Sequence, residues 1–288
     1  MNKKFDLDDI ALIPEPISRF SSRSFINPFF SGSRLPIINA PMFSVINDLK
    51  FNKNIKEDLY TNKINICEPR TEEIKFKVNH YDSNWHSLSL DQIEEMTEKF
   101  NTRDSKYNAF PFDKVLIDIA NGHSQRLVNI VKQFKDKFKD KVLLMVGNIG
   151  NPETYKILSD VGADYIRLGI GSGSVCTTST QTAIHYPLGS LIKECYEISK
   201  TLDKPALIVA DGGMKSYSDI IKSLALGADL VMIGNILAKA LESDNAPYLW
   251  KFIKISNIKI AKTLYNFGFK LWKRHYGMST KEVQRKWG

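Results

Sequence analysis

Eight short apolar runs recur along this 288-residue chain, and their recurrence constrains the fold more than any other feature. They are LPIINAPM (35–42), KINICE (63–68), WHSLSL (85–90), KVLIDIA (114–120), KVLLMVGN (141–148), DYIRLGI (164–170), PALIVADGG (205–213) and DLVMIGN (229–235). Runs of this length, rich in Val, Ile and Leu, fit parallel strands buried on both faces. Between them, SQRLVNIVKQFKDKF, NPETYKILSDVGA, LGSLIKECYEISKTL and SYSDIIKSLALGA carry helical spacing, and two end in Gly-Ala just before the next run. Eight strands alternating with helices predict an α/β fold, a (β/α)8 TIM barrel over residues 1–250, rather than an open sheet. The helical pattern is weakest after the first two runs, where FSVINDLKFNKNIKEDLY is polar and PRTEEIKFKVNHY is short. After the eighth run KFIKISNIKI alternates like a hairpin, and residues 251–288 read as a basic, aromatic-rich appendage.

The net charge of +8 sits almost wholly in that appendage, which has ten Lys or Arg against Glu282 alone. Such a stretch, with Trp250, Phe252, Tyr265, Phe267, Phe269 and Trp272 interleaved, suits nucleic acid, a membrane surface, or a solvated element at a subunit contact or over an anionic ligand. No nucleic-acid motif accompanies the charge, so the last reading is preferred and nucleic-acid or membrane contact is not expected. The opening MNKKFDLDDI lacks the apolar run of a signal peptide, and no stretch reaches the roughly 18 apolar residues of a membrane span. A cytoplasmic protein is expected. Cys67, Cys176 and Cys195 cannot all pair and form no C-x-x-C pattern, so free thiols in a reducing compartment are expected to be available for chemistry.

In a barrel of this kind, function collects in the loops at the C-terminal ends of the strands. Run four ends in Asp118 and continues to Asn121 and Gly122, and run five ends in Gly147-Asn148. Run six enters GIGSGSVCTTST (169–180), run seven ends in Asp211-Gly212-Gly213, and run eight in Gly234-Asn235. Each alone is a common turn or helix cap. Together they describe a pocket for a phosphorylated ribose, with Asp211 accepting from the diol, glycine backbone approaching the phosphate, and a thiol beside it. Cys176, flanked by glycines and by Thr177 and Thr178, is either a small buried thiol in a flexible turn or a covalent nucleophile.

These residues resemble the IMP dehydrogenase and GMP reductase family of barrel enzymes over nearly the whole chain. FDLDDIALIP is similar to the family's opening, LPIINAPM to its first strand, and DIANGHSQ to its fourth-strand motif. GNIGNPETYKILSDVGADYIRLGIGSGSVCTT, ADGGMKSYSDIIKSLALGADLVMIGNILA and YGMST complete the likeness. The resemblance implies that Cys176 attacks C2 of a purine nucleotide and that Thr178 assists the leaving group or water. Ser174, Gly213, Gly234 and Asn235 would surround the 5′-phosphate, with Gly212 beside them; Asp211 would hold the ribose, and Met42 and Met278 the purine. Asp118, Asn121, Gly122, Asn148 and Gly169 would line the dinucleotide site. Carbonyls of Gly171, Gly173 and Cys176 match positions that hold a monovalent cation, K+, in relatives.

Within the family, ANGHS, HYPLGSLIKEC and HYGMST are similar to the reductase forms, which implies NADPH-dependent deamination of GMP to IMP through a Cys176 thioimidate. The alternatives are oxidation of IMP with NAD, or a purine-nucleotide-binding subunit without turnover. Ser172, Ser179, Leu188 and Glu68 stand where relatives carry proline, arginine, glutamine and a basic residue, with Arg70 near the last. Relatives are tetramers, so a homotetramer is the expectation. Relatives also carry a mobile flap after the YGMS motif, whereas here the sequence stops ten residues after Met278; the corresponding alternatives are a second polypeptide supplying the flap, an altered mechanism, or a nucleotide-binding barrel that has lost turnover.

Overall fold

A computed structural model describes residues 3–30, 32–46, 54–74, 84–100, 110–171 and 183–273. Eight parallel strands form one sheet: β1 (Ile37–Asn39), β2 (Cys67–Glu68), β3 (Trp85–Leu88), β4 (Lys114–Asp118), β5 (Leu143–Ile149), β6 (Tyr165–Leu168), β7 (Leu207–Asp211) and β8 (Leu230–Ile233). Seven fall inside one of the eight apolar runs, and β5 runs one residue past its own, to Ile149. The spatial order is β1-β8-β7-β6-β5-β4-β3-β2, and a parallel bridge between Ile38 and Asn65 joins the two ends. The sheet is therefore a (β/α)8 barrel.

Two carboxamides complete the seam between β1 and β2, where the strands are shortest. Asn39 donates through Nδ2 to the Cys67 carbonyl (2.7 Å) and accepts through Oδ1 from the Cys67 N–H (2.8 Å). Its side chain thus takes the place of a backbone rung. Asn65 does the same from the other side, donating to the carbonyls of Leu35 (2.9 Å) and Ile37 (3.0 Å).

Among the described residues the barrel helices are α1 (Ile55–Thr61), α2 (Leu90–Lys99), α3 (Gln125–Phe138), α4 (Pro152–Asp160), α5 (Leu188–Ser199), α6 (Tyr217–Ala225) and α7 (Asn235–Lys239). The polar segment after β1 yields one short helix, α1, and the segment after β2 runs beyond the described residues at 75–83. α3 shows how the outer layer is built. Ser124 caps it by accepting from the Leu127 N–H, and Leu127, Ile130, Val131, Phe134 and Phe138 recur at helical spacing on one buried stripe. Phe134 and Phe138 pack with Phe110 at centroid distances of 5.2 and 4.9 Å. Along each strand, residues alternate between this outer core and a smaller inner one made of Ile38, Cys67, Trp85, Leu116, Met145, Val209, Leu230 and Met232.

After β8 the chain builds a second, three-stranded antiparallel sheet from β9 (Tyr248–Leu249), β10 (Ile253–Lys254) and β11 (Leu271–Trp272), with α8 (Ile258–Asn266) between the last two. The hairpin expected in KFIKISNIKI lies earlier, over residues 248–254. Asn257 ends the alternation, because its side chain accepts from the N–H groups of Lys259 and Ile260 and starts α8. Among the described residues no helix is long and apolar enough to cross a membrane.

The carboxamide seam makes a test. Replacing Asn39 with Leu keeps the branched shape but leaves the buried Cys67 N–H and C=O without these partners, at about 1–3 kcal/mol for each group. Chemical denaturation of Asn39→Leu is expected to show a loss of roughly 2–6 kcal/mol; an unchanged midpoint would mean that backbone pairing alone closes the barrel.

Candidate active site

At the C-terminal ends of the strands the inner core turns from apolar to charged. Leu116, Met145 and Val209 give way, one inward step along their strands, to Asp118, Gly147 and Asp211, and Tyr165 on β6 gives way to Arg167. Pairing aligns Asp118 with Gly147 and Gly147 with Arg167. Arg167 and Asp118 are thus two strands apart, about 10 Å in a sheet, and only a long side chain can join them.

Gly147 leaves the gap through which it does so. A Cβ there would lie 2.7 Å from Arg167 Cβ and 2.5 Å from its carbonyl oxygen, and the residue's φ of 148° is one that side chains disfavour. Across that gap Arg167 Nη1 donates to Asp118 Oδ1 (2.6 Å), and Nε donates to Asp211 Oδ2 (3.0 Å). All three side chains are largely buried, at 11, 14 and 13 % exposure for Arg167, Asp118 and Asp211. Burial alone would lower the Arg167 pKa, but Asp211 and Asp118 outweigh it and hold the guanidinium above its ordinary value. It is a permanent cation between two carboxylates.

Asn148 extends the network. Its Nδ2 donates to Asp211 Oδ2 and to the Gly169 carbonyl, both at 2.7 Å, while its backbone carbonyl accepts from the Gly122 N–H (2.9 Å). The sequence-predicted residues Asp118, Gly122, Asn148, Gly169 and Asp211 therefore meet in one hydrogen-bonded set. Asn121 stands beside them on an exposed loop, its Oδ1 accepting from the His123 N–H (3.1 Å). His123 ties that loop to the next: its Nε2 accepts from the Gly150 N–H (3.0 Å), and its Nδ1 meets Thr154 Oγ1 at 2.8 Å. Burial lowers the His123 pKa, consistent with a neutral ring that can accept this bond.

On the opposite side Gly212 and Gly213 both take positive φ, 83° and 73°, and turn the chain sharply at the end of β7. Gly234 closes β8 beneath Met42, whose Sδ would lie 2.8 Å from a Cβ at that position, and Asn235 opens α7. Met42, Gly234 and Asn235 are thereby brought together. At the end of β2, Arg70 Nη1 donates to the Asp118 carbonyl (3.1 Å), whereas Glu68 pairs with Lys56 (2.6 Å) and accepts from Asn84 (3.3 Å). The basic group that reaches β4 is Arg70.

Gly173, Ser174, Cys176, Thr178 and Met278 lie outside the described residues. The chain on either side of the cysteine loop is described: Gly171 follows β6 with φ 79°, and His185 Nδ1 approaches the Ile170 carbonyl at 3.2 Å. The expectation that free thiols are available for chemistry is corrected for two of the three. Cys67 is fully buried in the inner core, which pushes its pKa up to about 12, and burial likewise raises Cys195. Neither is a thiolate at neutral pH.

Sequence reasoning missed Arg167. Its signal was available: a charged residue inside the apolar run DYIRLGI requires a buried counter-charge, and two aspartates end neighbouring runs. Removing one partner of a buried ion pair strands the others at a cost of about 3–5 kcal/mol. Arg167→Met is expected to lose that much at neutral pH by chemical denaturation, and adding Asp118→Asn and Asp211→Asn should recover part of it. An Arg167→Met variant as stable as the parent would show that the carboxylates do not need the cation.

Residues 86–257 match the family model described as the IMP dehydrogenase / GMP reductase domain. A GMP reductase of Mycoplasma mycoides subsp. mycoides SC is 32% identical over 265 residues, covering 88% of this chain and 77% of the relative. A GMP reductase of Lactobacillus acidophilus is 34% identical over 245 residues, covering 83% and 71%. An inosine-5'-monophosphate dehydrogenase of Chlorobaculum tepidum is 39% identical over 139 residues, covering 48% of this chain and 28% of the relative. The chain belongs to the IMP dehydrogenase / GMP reductase family, on its reductase side.

Proposed function

We propose that this chain deaminates GMP reductively to IMP, with NADPH as the reductant and Cys176 as the covalent nucleophile. The observation that carries the reading is that relatives named GMP reductase align over most of the chain, while the dehydrogenase aligns over about half of it. The burial of Cys67 and Cys195 supports Cys176 as the working thiol.

In this reading the Cys176 thiolate adds to C2 of the purine, forming a C–S bond. The C2–N bond then breaks and ammonia leaves with a proton, assisted by Thr178, to give the thioimidate. NADPH, when bound, supplies the hydride that C2 accepts. The C–S bond breaks and the thiolate returns. The balance is GMP, NADPH and two protons giving IMP, NADP+ and ammonium.

The residues fit a nicotinamide nucleotide. Asn121 and Asn148 carry carboxamides and Asp118 a carboxylate, suited to the carboxamide and ribose hydroxyls of that group. At Gly122 a Cβ would strike the Asn148 carbonyl oxygen at 2.7 Å, so glycine keeps the loop backbone low beside it. Asp211 holds the substrate ribose, Ser174, Gly213, Gly234 and Asn235 its phosphate, and Met42 and Met278 its base. Oxygen donors on Gly171, Gly173 and Cys176 suit a hard monovalent cation. A homotetramer belongs to the same reading, supported by an N-terminal stretch that leaves Ile13 (89 %), Ile17 (83 %) and Phe25 (67 %) exposed, more apolar surface than an isolated chain usually carries.

The test is reduced-nicotinamide absorbance with GMP plus NADPH, and separately IMP plus NAD, for the parent and Cys176→Ala. GMP-dependent oxidation of NADPH, abolished in Cys176→Ala while GMP binding persists, is the expected result. A fully active alanine variant would sink the mechanism. Reduction of NAD with IMP would move the chain to the dehydrogenase reaction, and GMP binding with no turnover in either assay would leave a nucleotide-binding barrel.

A further inference from the structure

The small sheet keeps its aliphatic side chains for itself and leaves its aromatic ones outside. Its own core gathers Ile255 and Ala261 with Leu249, Ile258, Leu264 and Leu271, and among the described residues no aromatic ring belongs to it. Phe267 is 78 % exposed and Phe252 73 %, and Trp250, Tyr265 and Phe269 are exposed as well. Single exposed rings are ordinary, whereas several in one appendage mark a contact surface.

Register puts four of these rings at one end. Leu249 pairs with both Ile253 and Leu271, so the β9–β10 turn (residues 250–252) and the stretch entering β11 (residues 267–270) emerge side by side. Hydrogen bonds fix both corners. In the first, the Phe252 N–H donates to the Leu249 carbonyl (3.3 Å), and Trp250 and Lys251 take positive φ, 50° and 72°, the hand that matches the twist of the flanking strands. In the second, Gly268 takes φ 84° and the Phe269 N–H reaches back to the Leu264 carbonyl (3.0 Å), ending α8 with a cap that carries Phe267 and Phe269 on either side of the glycine. Trp250, Phe252, Phe267 and Phe269 are thus presented in advance, and docking them costs little further ordering.

The charge sits one step behind the rings. Lys251 and Lys270 fold back so that their ammonium groups lie over Trp272, at 4.3 and 4.6 Å, and Trp272 pairs with Tyr248, two residues before Trp250. Lys254 also pairs with Tyr248, and no acidic residue lies between Tyr248 and Lys273. Two lysines of the segment are engaged within the protein: Lys262 by Glu242 (3.2 Å), and Lys273 by the carbonyls of Ala240 (2.6 Å), Leu241 (3.2 Å) and Ser243 (3.1 Å). Lys251, Lys254, Lys259 and Lys270 are exposed. Rings in front and cations behind match an anionic bilayer, where a docking tip reaches the acyl boundary while its lysines stay at the headgroups. A nucleic-acid strand asks for a different build, a groove with cations along its walls. The same patch on a second copy would set lysines against lysines.

We propose that this end of the small sheet docks on an anionic lipid surface, with Trp250, Phe252, Phe267 and Phe269 entering the interface and Lys251 and Lys270 meeting the headgroups. The sequence alone gives no reason to expect membrane contact, since nothing in it distinguishes an exposed ring from a buried one.

The experiment is sedimentation of the full chain with phosphatidylcholine vesicles, with and without phosphatidylserine, beside a binding titration with single-stranded oligothymidylate. Expected are binding to the phosphatidylserine vesicles only, weakening as salt rises, and quenching of tryptophan emission by bromine-labelled acyl chains, most of it lost in Trp250→Phe. The double variants Phe252→Ser with Phe267→Ser, and Lys251→Gln with Lys270→Gln, should each bind about tenfold or more weakly while keeping the parent's far-UV spectrum. No binding to either vesicle overturns the proposal, as does equal binding to both, or parent-like binding by either double variant. Binding to the oligonucleotide and not to vesicles assigns the patch to nucleic acid and overturns it too. Should the double variants fail to fold, quenching decides: emission unquenched on sedimenting vesicles, or quenched equally in the parent and Trp250→Phe, means that these rings do not enter the bilayer and overturns the proposal.

Discussion

The pairing of Arg167 with Asp118 and Asp211 is the interaction on which the upper end of the barrel depends. Two carboxylates at the mouth of a narrow apolar core would repel each other and resist burial; one guanidinium between them makes both tolerable. Because it spans from β4 to β7, it also fixes the relative heights of the strands that carry Asn148, Gly169 and the Gly212-Gly213 turn. Asn148 then adds a second tie from β5 to Asp211 and Gly169. The loops at this face consequently start from a rigid rim. That rigidity is what a site needs when several short loops must meet one small ligand.

Much of this was legible in the sequence, and the rest was hidden for identifiable reasons. Strands buried on both faces announce themselves as continuous apolar runs, and helices such as α3 announce themselves by Ser124 at the cap and Phe134 and Phe138 on the stripe. Periodicity says which face a residue takes but not which residue it meets across the barrel. Arg167 was therefore visible as an oddity in its run while its two partners, 49 and 44 residues away in sequence, were not assignable. Asn39 and Asn65 were less visible still, since a carboxamide standing in for a backbone rung leaves no periodic trace. Local competition misled the reading of KFIKISNIKI: alternation continued past the strand into a segment where Asn257, a strong cap, starts a helix instead. The candidate ligand-binding residues were legible as polar and glycine-rich strand ends and their individual roles by resemblance, while most of the cysteine loop falls outside the described residues.

The distribution of charge follows the same division between barrel and appendage. Residues 248–273 contain six lysines and no Asp or Glu. Register places the β9–β10 turn and the start of β11 at one end of the small sheet, and there Lys251 and Lys270 both lie over the Trp272 ring, at 4.3 and 4.6 Å. The ring face accepts cations that have few carboxylates within reach. Lys273, the last of the six, turns inward to carbonyl oxygens instead. One appendage thus uses its lysines in two ways, as solvated charges over an aromatic and as an internal strut.

Gly147 and Arg167 also carry a consequence for how such a chain can change over generations. Any side chain at 147 collides with the carbonyl oxygen and Cβ of residue 167, atoms that nearly every residue presents there, so mutation at the first position is barred even when the arginine is exchanged. Loss of the arginine alone strands two acids. Glycine is therefore fixed at 147, and loss of the arginine must pass through prior neutralisation of Asp118 or Asp211, two of the residues proposed here for the ligand site. The order of permissible substitutions is thereby set by sterics and charge together, and the arrangement behaves as a ratchet: simple to inherit, hard to leave one mutation at a time.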